Sequence, residues 1–205
     1  MKILFACEES GVGREAFRKK GHNAWSCDLK PSRIPGQHYQ CDVREVIGQQ
    51  WDMMIAHPVC TRLSNSGVRW LYNNGRGADG VNIEKVIELG EGINFFNLFL
   101  KQDHIPKVMV ENPVQHEHAL KRIIQPYSQI IQPWQFGHKE MKATCLWLKG
   151  LPPLVPTDIV GPPPKDKEER KKWAVVHRMA PGPERTAERS KTYPGIADAF
   201  AEQWG

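Results

Sequence analysis

No C-x-x-C pair occurs among the five cysteines (Cys7, Cys27, Cys41, Cys60 and Cys145), and their number is odd. Neither a disulfide framework nor a zinc site is expected from such spacing, and a reducing compartment is the default. Long apolar runs are missing too. Ile3–Cys7 is too short for the core of a signal peptide, and no stretch approaches a membrane span. A cytoplasmic protein without a membrane partner is therefore expected. There is no internal repeat. Strong charge bias is lacking as well: 28 Lys and Arg face 23 Asp and Glu, for a net +5. With a pI near 9.0 this mild basicity suits a polyanionic partner without demanding one. At 205 residues the chain can bury a core without staples, as one catalytic unit plus appendages.

What is present alternates. Lys2–Ala6, Asn23–Cys27, Tyr39–Val43, Asp52–Ala56, Lys107–Val110, Gln129–Gln132 and Thr144–Lys149 read as strands. Helical spacing fills the stretches 11–20, 83–100 and 117–124. Strands separated by helices imply parallel pairing with right-handed crossovers, so the fold class is α/β, a doubly wound and mostly parallel sheet. From Leu151 the chain turns proline-rich and charged, which predicts a loop-dominated basic segment over 151–192 with one short helix around Lys167–Val175. A closing helix over Ile196–Gln203 is expected to dock on the 1–150 catalytic domain, within a terminal unit at 193–205.

Chemistry in such sheets sits past the carboxyl ends of the strands. The apolar run Trp51–Ala56 ends in His57-Pro58-Val59-Cys60, and a thiol on that loop is a candidate nucleophile. The run Pro106–Val110 ends in Glu111-Asn112-Pro113, a carboxylate and an amide. At the front, Glu8-Glu9-Ser10-Gly11-Val12-Gly13 joins the first strand to the first helix, where glycines allow a ligand to approach the backbone. Asp28 closes the second strand and suits a ribose; Asp42 closes the third and suits an adenine edge. No lysine or arginine sits in the glycine turn, so the pattern favours S-adenosylmethionine over a dinucleotide or ATP.

These residues together resemble a small cytosine-5 DNA methyltransferase of the kind found in phages and prophages. Phe5-Ala6 with Gly11 and Gly13 stands for that family's Phe-Ala-Gly-x-Gly loop, loosened by Cys7-Glu8-Glu9. Asp28 and Asp42 stand at its two acidic positions, His57-Pro58-Val59-Cys60 for Pro-Pro-Cys with Ser64 at the later serine, and Glu111-Asn112-Pro113 for Glu-Asn-Val. Phe136-Gly137, Lys139 and Lys142 before the strand at Cys145 resemble the basic segment that holds the base's carbonyl. The resemblance implies a Rossmann-like methyltransferase sheet and transfer of a methyl group from S-adenosylmethionine to a flipped cytosine in duplex or single-stranded DNA. It implies Cys60 as nucleophile, Glu111 as acid and Lys142 as carbonyl clamp. Phe5, Gly11, Gly13, Asp28, Asp42 and Pro58 fall to the cofactor, and Ser64, Asn112 and Lys139 to the substrate.

The chain departs from the family at Val59, at His57 in the same turn, at the arginines expected around Lys139–Thr144, and in its target-recognition region, shrunk to Leu151–Lys191. Two alternatives follow: an enzyme on RNA or a free pyrimidine nucleotide, and a non-catalytic nucleic-acid binder. His116 and His118 are two residues apart and point away from each other on a helix, which disfavours a metal pair. Trp134 reads as a strand-end core residue. Arg62, Arg69, Arg76, Lys121 and Arg122 are candidates for a phosphate track. Oligomeric state has no signal.

Overall fold

The computed structural model describes residues 1–75, 80–180 and 182–205; nothing is said of the side chains at 75, 177, 183, 184, 186 and 187. Arg76 thus lies outside the described residues. Seven strands form one sheet: β1 (Lys2–Ala6), β2 (Asn23–Asp28), β3 (His38–Gln40), β4 (Met53–Ala56), β5 (Lys107–Pro113), β6 (Gln129–Ile131) and β7 (Thr144–Lys149). Their order is β3-β2-β1-β4-β5-β7-β6. The first five run parallel; β7 runs antiparallel to β5 and β6. This is the doubly wound, mostly parallel, Rossmann-like α/β sheet expected from the sequence. β7 reverses because no crossover helix separates it from β6: a short connection with one 3-10 turn at Pro133–Gln135 turns the chain straight back.

The helices are α1 (Val12–Lys19), α2 (Ile83–Leu100), the single turn α3 (Glu117–Leu120), then α4 (Lys167–Lys171), α5 (Val175–Arg178), α6 (Pro183–Ser190) and α7 (Pro194–Trp204). Alternate strand residues feed opposite faces. On one face Leu4, Met54, Val108, Val110 and Trp147 pack with Ile93, Phe96 and Phe99 of α2. On the other, Ile3, Phe5, Met53, Ile55, Met109 and Leu146 pack with Phe17 of α1 and Ile196, Phe200 and Trp204 of α7. Both faces are covered, which is why the central strands are apolar throughout. Among the described residues no helix is long and apolar enough to cross a membrane.

Three expectations need correction. β3 covers His38–Gln40, so Asp42 is beyond the strand. It caps a 3-10 turn at Val43–Glu45, accepting from Arg44 N at 2.9 Å while Glu45 Oε1 accepts from Asp42 N at 3.2 Å. That reciprocal cap satisfies amides that a longer strand would have paired. α3 stops at Leu120, short of the expected Ile124. The segment after Leu151 carries three short helices where one was expected, and it is stitched to the sheet's end rather than looping away. Gly137 N donates to Asp158 O at 2.7 Å, Val160 N to Trp134 O at 3.0 Å, and Met141 N to Trp173 O at 2.6 Å.

Candidate active site

The chain leaves β1 toward β2 and β3 on one side, then returns to β4 on the other. The carboxyl ends of β1 and β4 therefore flank the point where the winding reverses, the crevice where open sheets bind ligands. Two half-sites meet there.

The first is the turn after β1. Gly11 caps α1 with φ of 75°, a conformation that disfavours any side chain, and Cys7 adopts φ of 57°. A Cβ at Gly13 would lie 2.5 Å from Cε1 of Phe5. Phe5 itself is buried beneath the turn, edge-on to Phe17, so it sets how closely α1 approaches the strand. Glu8 is 4% exposed. The Ser10 hydroxyl donates to its Oε1, and its Oε2 has no hydrogen-bond partner among the described residues. A buried carboxylate oxygen left unpaired is costly, and a cationic or N–H-bearing ligand would relieve it. Asp28 accepts from Lys30 N at 2.9 Å. The Cys7 thiol is pushed up by burial first, then by Asp28, Cys27 and Asp42, so both acids lie within electrostatic reach of the carboxyl end of β1.

Arg14, with no exposed surface, was not foreseen. Its guanidinium donates to Ser26 Oγ at 2.9 Å and Ile34 O at 2.7 Å, fastening the loop after β2 against α1. Its only sequence signal is its place one residue after Gly13.

The second half-site lies past β4 and β5, which are adjacent and parallel. His57 N extends the β4 ladder by donating to Ala6 O at 2.9 Å. The half-buried Cys60 opens a turn, its carbonyl accepting from Leu63 N and Ser64 N, both at 3.0 Å. Asn112, 1% exposed, donates from Nδ2 to Pro58 O at 2.9 Å, tying the end of β5 to the cysteine loop. His116 Nδ1 accepts from Ala119 N, so Nε2 carries the proton and donates to Arg62 O at 2.7 Å. Ser64 is buried, 2.9 Å from the Ser66 hydroxyl and bridged to Gln115. Pro58, Ser64, Asn112 and His116 thus hold the loop that presents Cys60.

Glu111 faces that loop. Burial pushes its carboxyl up, but His57, Lys142 and the Thr144 hydroxyl more than offset this and hold it below the ordinary carboxylate range. His57 Nδ1 is 3.2 Å from Glu111 Oε2. The Cys60 thiol is pushed up by burial and by the Glu111 charge, against the cations of Arg189 and Lys142 and its own backbone amide. The structure therefore places Cys60, Glu111 and Lys142 within electrostatic reach of one another, with His57 and Arg189 beside them. Lys142 is anchored: its Nζ donates to Arg189 O at 2.7 Å and lies 5.5 Å from the Tyr193 ring centroid. Lys139 is exposed, three residues before it. Among the described residues no group of three or more His, Cys, Asp or Glu side chains is arranged to hold a metal.

The chain matches no protein-family model and no curated protein. Among solved structures it is similar to a 16S rRNA methylase, RmtB, at 12% identity over 72% of this chain and 54% of that one, with a TM-score of 0.37. It is also similar to MtNAS in complex with MTA and tNA, at 9% identity over 73% and 53%, with a TM-score of 0.38. Both likenesses are distant, and the chain spans about half the length of each protein.

Proposed function

We propose that this protein transfers a methyl group from S-adenosylmethionine to carbon 5 of cytosine in DNA, through a covalent bond from Cys60. The observation that carries the reading is the place of the Cys60 thiol and the Glu111 carboxyl past adjacent strands, near enough for the Glu111 charge to raise the thiol's proton affinity. Carbon 5 of cytosine is too weak a nucleophile to take a methyl unaided. Addition of a thiolate at carbon 6 makes carbon 5 enamine-like, and an acid at nitrogen 3 absorbs the charge that develops. Cys60 has the first role and Glu111 the second. Lys142 supplies positive charge beside both groups, which favours the thiolate and a carbonyl oxygen gaining charge. A base in a duplex must first be flipped out, at about a few kcal/mol.

The cofactor would be held by the turn Glu8–Gly13 with Asp28 and Asp42. The unpaired Glu8 oxygen fits a cationic ligand at this turn and argues against a phosphate there. When bound, S-adenosylmethionine supplies an electrophilic methyl on a sulfonium. Asp28 would take the ribose hydroxyls, while Asp42 would share its carboxylate between the cofactor and its cap.

The test is transfer of labelled methyl from S-adenosylmethionine to duplex DNA, single-stranded DNA, RNA and dCMP side by side, with the product located on the ring. DNA is expected to yield 5-methylcytosine. Transfer to RNA or dCMP alone would reassign the substrate. A folded protein that labels nothing would sink the reading in favour of a binding protein.

A further inference from the structure

His57 occupies the turn where the resembled family carries another residue, and its side chain is turned onto Glu111 rather than away from it. Both side chains are mostly buried, 13% and 20% exposed. The ring is held from two directions. Its backbone amide is in the sheet ladder, and the next residue, Pro58, restricts its conformation and is itself gripped by Asn112. Nδ1 faces an ionised carboxylate, so it must carry hydrogen for the contact to attract. Nε2 has no hydrogen-bond partner among the described residues. Such a ring fixes the carboxylate through Oε2, with the Thr144 hydroxyl a second hydrogen-bond partner of the same carboxyl.

The carboxylate's role follows from the resting protonation. Cys60 rests as a thiol and Glu111 as a carboxylate, the reverse of what attack on the ring needs. One proton moved from sulfur to carboxylate converts the first pair into the second.

We propose that His57 is a positioning residue for Glu111, its Nδ1–H holding Oε2 while Oε1 carries a proton from the Cys60 thiol to nitrogen 3 of the bound cytosine. The inference rests on the cytosine reading above and extends it. The sulfur keeps its electron pair and forms the bond to carbon 6. The carbon 5–carbon 6 pair shifts toward carbon 4, and the carbon 4–nitrogen 3 pair moves onto nitrogen 3, which takes the proton from Glu111. Carbon 5 uses the enamine pair to take the methyl, and nitrogen 3 returns its own pair to carbon 4. The proton at carbon 5 departs to solvent, and its pair restores the carbon 5–carbon 6 double bond. The sulfur then leaves as thiolate, and the nitrogen 3 proton returns through Glu111. No further acid or oxidant is required. The other groups acting on this centre are Cys60 on the loop after β4, Lys142 ahead of β7, Cys145 within it, and Arg189 on α6. β1 contributes a backbone carbonyl to His57.

The experiment compares the intact protein with His57→Phe, which keeps an aromatic ring without a donor, and His57→Asn, which restores one. Two quantities are read. The first is the rate of the denaturant-stable adduct with DNA of mixed sequence carrying 5-fluorocytosine, in the presence of S-adenosylmethionine, across pH. The second is the titration of the Glu111 carboxyl by carbon-13 NMR in the free protein. In His57→Phe the Glu111 midpoint should rise. The low-pH fall in adduct rate should move up with it, and the rate near neutrality should drop about tenfold. His57→Asn should recover much of both, with cofactor affinity unchanged throughout. An unchanged Glu111 titration, or an equal loss of rate at every pH, overturns the relay and leaves His57 a packing residue. A folded wild-type protein that traps no 5-fluorocytosine overturns the cytosine reading and the relay with it, while the Glu111 titration still decides whether His57 sets that carboxyl's proton affinity.

Discussion

A thiol raised above its ordinary proton affinity next to a carboxylate lowered below its own is a resting state, not a reactive one. For Cys60 this has a direct readout. Alkylation should be slow at neutral pH and accelerate only above the usual thiol range, because the thiolate is the reacting form. Glu111→Gln removes the opposing charge and should shift that acceleration to lower pH. Cys60→Ser should abolish trapping by 5-fluorocytosine while leaving cofactor affinity nearly unchanged; trapping that persists would point to Cys145, although that thiol is fully buried and pushed up to about 11 by burial and by Glu111. At the other half-site, Asp28→Ala should weaken S-adenosylmethionine by about 1–3 kcal/mol in calorimetry, the loss typical of a hydrogen bond to a charged group. Cys60 and Glu111 were legible because each ends an apolar run, and the ends of such runs are where a sheet exposes chemistry. His57 was read only as a departure from a motif. Its partner is 54 residues away, and no local pattern encodes that contact. Glu8 was equally silent: a carboxylate in a glycine turn looks solvated until its burial is known.

Elements were legible where periodicity is strong. β1, α2 and β7 begin and end as the apolar spacing predicts, since a buried strand or helix face leaves little freedom in register. β3 was misplaced by one residue at its start and three at its end because the Asp42 cap competes with strand pairing, a contest decided by side-chain hydrogen bonds. The three helices of the tail were harder. α4 buries nothing, and its charges pair along its own surface, Lys171 with Glu168 and Lys172 with Glu169. This has a consequence for nucleic-acid binding. Lys171→Ala, Lys172→Ala and Arg178→Ala together should weaken binding to all DNA sequences alike. They should flatten the slope of log affinity against log salt by about 0.9 for each phosphate that is no longer neutralised. A triple variant with wild-type slope would restrict the tail to its role beside Lys142. Strand β7 was correctly bounded, but its reversal followed from the missing helix before it, a feature of the connection and not of the strand.

At the scale of the molecule, the sheet divides two apolar cores, and one residue reports on the larger. Trp147 is fully buried on β7, edge-on to Phe96 of α2 and Tyr127, with Nε1 donating to Gln125 O at 3.0 Å. Trp147→Ala removes both the packing and the donor to the Gln125 carbonyl, and should cost about 3–5 kcal/mol in denaturant unfolding. Trp204→Ala on α7 should cost a similar amount through the opposite core, where it stacks on Phe200 and donates to Pro152 O at 3.1 Å. Because the two residues lie on opposite faces of the sheet and share no partners, the double variant should lose close to the sum, a check on whether the terminal helix is part of the same cooperative unit. The α/β class, the mostly parallel winding and the place of the crevice were implied by alternation in the sequence, whereas the strand order was not. The docking of the tail on the segment before β7 was not legible either, since it depends on backbone groups that every residue shares.

How this chain can vary follows from one such backbone group. The tether from Lys142 ends on the carbonyl of Arg189, not on its guanidinium. Anchor and charge at this position are therefore separable. Arg189→Ala should leave the tail docked, with the melting temperature little changed, yet raise the Cys60 thiol further and slow its adduct about tenfold. Lys142→Ala should free the tail as well, seen as faster proteolysis between residues 160 and 192. Mutation can rewrite the tail's side chains without moving the backbone anchor that Lys142 holds. One stretch of chain can thus keep its anchor constant while the charge it presents drifts.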